Sequence, residues 1–118
     1  SVVAAAIEAF KIVEKDNSLK NTLERNTLYF RKKMTANGFN ILEGTHPIVP
    51  IMLYDAKKAK EMSSKLLDEG IYVIGFHYPV VPKNKARIRV QISSAMKKEH
   101  LNKSIEAFKK VGEKMGII

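Results

Sequence analysis

The run Ala86–Ile92, ARIRVQI, constrains this chain more than any other stretch, because its apolar and polar residues alternate without a break. Successive side chains of a strand point to opposite faces, so a two-residue period marks a strand with one face buried. Ile88, Val90 and Ile92 fall on one row, and Arg87, Arg89 and Gln91 on the other. The apolar row needs a core, so the chain must hold a sheet with something packed against it. Two guanidiniums on the opposite row, just after the proline-containing HYPVVP, present planar forks suited to a carboxylate or a phosphate.

Elsewhere much of the periodicity is helical. Val2, Ala6, Phe10 and Val13 recur at helical spacing and predict a first helix ending near Asp16 and Asn17. Ser18 then stands where it could cap a second helix, with Leu19, Leu23, Phe30 and Met34 as its stripe and Asn37-Gly38 as its stop. Short strands are expected over Phe39–Leu42 and Ile48–Tyr54, separated by a turn at Gly44–Pro47. Pro50 has no N–H to give to a ladder, which places its strand at an edge or a bulge. Asp55 caps a helix with the stripe Ala59, Met62 and Leu66, closed by Gly70. A strand over Ile71–Gly75, a loop over Tyr78–Lys85 and the strand Arg87–Ile92 follow. The last helix carries Leu101, Ile105, Phe108 and Met115 and ends at Gly116. This order predicts an α+β fold: a small, mainly antiparallel sheet with helices packed on one face, preceded by a long connecting helix. Residues 1–36 read as linking helices and 37–118 as a small domain.

A chain of 118 residues has room for a single core. No run approaches the roughly 18 apolar residues of a membrane span, and no cationic leader opens the sequence. It does not begin with Met, and SVVAAAIEAF reads as a helix already under way, so a longer parent protein is expected. The absence of cysteine rules out disulfides and thiolate metal sites, and is compatible with the cytoplasm. The net charge of +9 comes mostly from lysines dispersed along helical segments without interleaved aromatics. That pattern favours a solvated surface. A small basic nucleic-acid-binding module is the alternative from a different class.

The other candidates have structural readings. His77 beside Tyr78 has the chemistry of an acid–base group, but reads as a loop residue; Lys83 and Lys85 read as a solvated loop tip. His46 lies in a turn and His100 in the last helix, and no two histidines have metal-ligand spacing. Asp55 is a cap, and no phosphate-cradling glycine motif occurs.

The stretch GIYVIGFHYPVVPKNKARIRVQISSA, Gly70–Ala95, resembles the C-terminal domain of the α-oxoamine synthases, pyridoxal-phosphate enzymes that condense amino acids with acyl-CoA. The resemblance continues through NGFNILEGTHPIVPIMLYDA and IEAFKKVGEKMGII and, more weakly, back to the first residue. It implies the small domain of a fold-type-I enzyme, closing over a larger domain in a homodimer. It implies pyridoxal phosphate as cofactor, held by a lysine motif upstream of this chain. No catalytic or cofactor-binding residue is therefore expected here. The second arginine of R-I-R, Arg89, is implied to bind the substrate carboxylate, with Arg87 in a supporting or surface role. GFHYPVVP and ARIRVQISSA point, within the family, to the branch that interconverts glycine and acetyl-CoA with 2-amino-3-oxobutyrate and CoA in threonine breakdown. The branches that make 8-amino-7-oxononanoate and 5-aminolevulinate are the alternatives. Acyl-CoA phosphates are then a further anionic partner for the lysines, and the implied location is cytoplasmic, or mitochondrial in a eukaryote. Many members carry histidine where Met96 stands and a capping Ser or Thr where Lys97 stands, which leaves the start of the last helix open.

Overall fold

The computed structural model describes the backbone of residues 2–118 and the side chains from residue 18 onward. Helix α1, Val2–Ala36, runs unbroken through Asp16, Asn17 and Ser18. The expected break between two helices is therefore absent. Asp, Asn and Ser cost a helix interior at most about 0.7 kcal/mol each, and neither Gly nor Pro interrupts the run. Ser18 does not act as a cap: its carbonyl accepts from Thr22 Oγ1 at 3.0 Å, an interior i, i+4 contact. The stripe Val2, Ala6, Phe10 and Val13 lies outside the described side chains. In the second half, Phe30 and Met34 are fully buried and Leu23 packs at the core's edge, whereas Leu19 is exposed.

Strand β1, Ile48–Tyr54, pairs antiparallel with β3, Ala86–Gln91, which pairs antiparallel with β2, Ile74–Phe76. The sheet order is β1-β3-β2, so β1 is an edge strand and Pro50 sits where its missing N–H was expected to put it. The Phe39–Leu42 strand shrinks to one bridge, Ile41 to Ile51. Leu42 N donates to Pro50 O, but Pro50 has no N–H to return, and Arg31 takes the Leu42 carbonyl instead. The β2 strand starts later than the expected Ile71, because Ile71 N is still closing the preceding helix through Leu66 O at 2.8 Å.

Helix α2, Ala56–Asp68, begins where Asp55 accepts from Lys57 N at 2.9 Å, and Gly70 leaves it at φ +83°. Its Ala59, Met62 and Leu66 are fully buried against the sheet. Helix α3, Lys98–Lys114, starts where Met96 and Lys97 left the matter open. His100, at the third helical position, reaches back as the Glu or Gln of a capping box does, its Nδ1 accepting from Lys97 N at 3.0 Å. One core joins the three helices and the sheet. Phe108 of α3 meets Phe30 of α1 and Phe39 edge-to-face, with centroids 6.4 and 6.0 Å apart. The expected α+β arrangement, a small antiparallel sheet with helices packed against one face, is the one found.

Candidate functional site

The register of the sheet builds the site. Pairing aligns Pro50, Arg89 and Ile74 in one row across the three strands, and Met52, Arg87 and Phe76 in the next. Directly paired residues share a face, so these six side chains stand together. The other face carries Val49, Ile51, Ala86 and Ile88, buried in the core. Gly75 shows how tightly α2 sits on that core face: a Cβ there would lie 3.1 Å from Ser63 Oγ and 3.4 Å from Ala59 O.

The two arginines differ. Arg87 is half-buried, and its Nε donates to Lys85 O at 3.1 Å. Arg89 is exposed, and among the described residues it has neither a hydrogen-bond nor an ion-pair partner. Its guanidinium carbon lies over the Phe76 ring, 4.3 Å from the centroid. Phe76 was not singled out in the sequence. The signal was present: Tyr72, Ile74 and Phe76 alternate with the core-facing Val73 and Gly75.

The loop before β3 shapes the rim. The Tyr78–Pro79 bond is cis, and Val80 N donates to His77 O at 2.9 Å. Ile74, paired with Arg89, is exposed, as are Tyr78 and Val80 of the loop, and Lys83 Nζ sits 5.1 Å from the Tyr78 ring centroid. All three histidines have local backbone partners. His77 Nδ1 is 3.0 Å from Tyr78 O, His46 Nδ1 accepts from Ile48 N at 3.0 Å, and His100 caps α3. Among the described residues no three His, Cys, Asp or Glu come together as a metal site.

A third arginine, also unremarked in the sequence, is structural. Arg31 of α1 donates to Leu42 O and His46 O at 2.8 Å and to Ile48 O at 3.2 Å. Burial lowers its pKa from the ordinary arginine value, and the carbonyl dipoles stand in for the lost water. It walls a cleft of about 490 Å³ between α1 and residues 39–44, which does not include Arg89. The described lysines are exposed or half-exposed, and none stands in an enclosed cavity beside an acid. The described residues therefore do not fit the imine-forming lysine site that pyridoxal phosphate requires.

Residues 1–108 match the family "Aminotransferase class I and II". The chain belongs to that family. It is 43% identical, over all 118 of its residues, to the 2-amino-3-ketobutyrate coenzyme A ligase of Escherichia coli (strain K12). It is 45% identical over the same length to the mitochondrial enzyme of that name from Homo sapiens, and 46% identical over 115 residues to an 8-amino-7-oxononanoate synthase from Thermosipho melanesiensis. It spans 28–30% of the length of these relatives. Among solved structures, a serine palmitoyltransferase from S. paucimobilis with a bound PLP–myriocin aldimine superposes at a TM-score of 0.84. That match is 26% identical and covers 99% of this chain and 30% of the other. An 8-amino-7-oxononanoate synthase from Francisella tularensis gives 0.74 at 25% identity, covering 97% and 33%.

Proposed function

We propose that this chain is the carboxylate-binding small domain of a pyridoxal-phosphate-dependent acyltransferase that interconverts glycine and acetyl-CoA with 2-amino-3-oxobutyrate and CoA. The observation that carries the reading is Arg89: an exposed guanidinium on the central strand, whose N–H groups have no hydrogen-bond or ion-pair partner among the described residues. Arg89 grips both carboxylate oxygens with its planar fork, which fixes the amino acid in position and in rotation. Holding the carboxylate holds the α-carbon, and orientation is a large part of any rate enhancement. Arg87, committed to Lys85 O, supports the strand end.

Residues 37–118 form the small domain and α1 links it to a larger domain, outside this chain, that holds the cofactor. The whole enzyme is a homodimer in the cytoplasm, or in the mitochondrion if the source is a eukaryote. Relatives named 2-amino-3-ketobutyrate coenzyme A ligase, matched over the whole chain, support the choice of reaction. The 46% identity to an 8-amino-7-oxononanoate synthase favours that synthase as the second reading. Release of CoA thiol by the full-length protein separates the two. Glycine with acetyl-CoA should turn over faster than any other pairing of small amino acid and acyl-CoA. A clear preference for a longer acyl-CoA with another amino acid assigns the protein to the second branch.

A further inference from the structure

We infer that Phe76 is a positioning residue for Arg89, holding the guanidinium plane so that its edge stays presented to the carboxylate; the inference rests on the carboxylate-binding reading of Arg89. Three observations carry it. First, the guanidinium carbon lies 4.3 Å from the Phe76 centroid, well inside the roughly 6 Å reach of a cation–π contact. Secondly, Phe76 pairs directly with Arg87, and Ile74 with Arg89, so Phe76 reaches Arg89 along the diagonal, within range of an aromatic side chain. Thirdly, Arg89 has no other described partner, so the ring is the contact that restrains it.

The two uses of the guanidinium do not compete. An aromatic ring takes the flat face of the cation, and a carboxylate takes the N–H groups along its edge. The ring therefore narrows the rotamers of a long side chain without consuming a donor. Without it, an exposed arginine spreads over many rotamers, and ordering it on binding costs side-chain entropy. Half-burial of Phe76 keeps the ring itself in place, while β2 fixes its backbone against β3.

The test uses the full-length, cofactor-loaded protein and reads dissociation constants from the absorption change of the bound cofactor. Glycine is compared with methylamine, which has the amine and no carboxylate. Phe76→Leu keeps an apolar side chain and removes the π face, and should weaken glycine about 3- to 10-fold while leaving methylamine unchanged. Phe76→Tyr restores the face and should stay within about twofold of wild type. Phe76→Met serves as a second probe should the leucine variant fold poorly. In an Arg89→Lys background, Phe76→Leu should add little, because the residue acts through the arginine. Wild-type glycine affinity in Phe76→Leu, with Arg89→Lys still impaired, overturns the inference and leaves the carboxylate reading standing. Equal losses for glycine and methylamine also overturn it, since the ring would then be serving the cofactor or the fold. Unimpaired glycine binding in Arg89→Lys removes the reading underneath.

Discussion

Three of the chain's four arginines are accounted for by what their donors meet. Arg31 spends its donors on backbone carbonyls, Arg87 spends one on Lys85 O, and Arg89 has only a ring beneath it. The sequence separated the last two only through the R-I-R resemblance, because alternation puts both on the same face. What distinguishes them is local: Arg87 lies beside the loop end whose carbonyl it takes. Arg89→Lys in the intact enzyme should weaken glycine binding about 10- to 100-fold, the equivalent of one charge-assisted hydrogen bond of about 1.5–3 kcal/mol. Arg87→Lys should change it by no more than about threefold, as expected for a partly exposed contact. Glycine titrations of both variants, with the cofactor spectrum recorded alongside, check this; the reverse order of effects would place the anchor at Arg87.

At the scale of elements, β3 was legible from the two-residue period of ARIRVQ, and β1 from its short apolar run IVPIMLY between turn residues. Helix ends were less so. Asp16-Asn17-Ser18 looks like a junction, yet the helix continues, because local polar residues tax a helix too little to end it. The start of α3 was hidden for the opposite reason: Lys97 brings no capping hydroxyl, and His100 takes the third-position role that Glu or Gln usually fills. The same helix carries Gly112 in its interior, a choice that sacrifices about 1 kcal/mol relative to alanine. A Cβ there would stand 2.8 Å from Phe39 Cζ and 3.2 Å from Ile118 Cγ1. Overpacking costs about 1–3 kcal/mol, which outweighs the propensity gained. Gly112→Ala should therefore lower the denaturation midpoint of the intact protein with an unchanged m-value. A raised midpoint would mean that the Phe39 ring gives way freely.

Across the molecule, the charge of +9 is interleaved with acids where the described helices face solvent. Glu69 and Lys110 tie α2 to α3 at 2.8 Å, Glu61 stands 3.9 Å from Lys65, and Glu106 and Glu113 are interspersed with Lys109, Lys110 and Lys114 along α3. A duplex-binding stripe needs cations of one sign, each releasing a counterion. In a gel-shift titration at about 150 mM salt, the full-length protein should form no complex tighter than the roughly micromolar range of non-specific binding. A sequence-selective complex below that range would bring back the nucleic-acid reading.

Arg31 has a consequence for how this domain can change over evolutionary time. It holds the 42–48 loop entirely through main-chain oxygens, at Leu42, His46 and Ile48, so it recognises the path of the loop and not its side chains. Glu43 and Thr45, both exposed, are free to drift without loosening that grip, while Gly44, at φ +146°, is held by its backbone. Since the loop leads directly into β1, and β1 flanks the strand bearing Arg89, this one cation insulates the alignment of the anion anchor from mutation in the surface loop beside it. Variation is permitted where the grip ignores it.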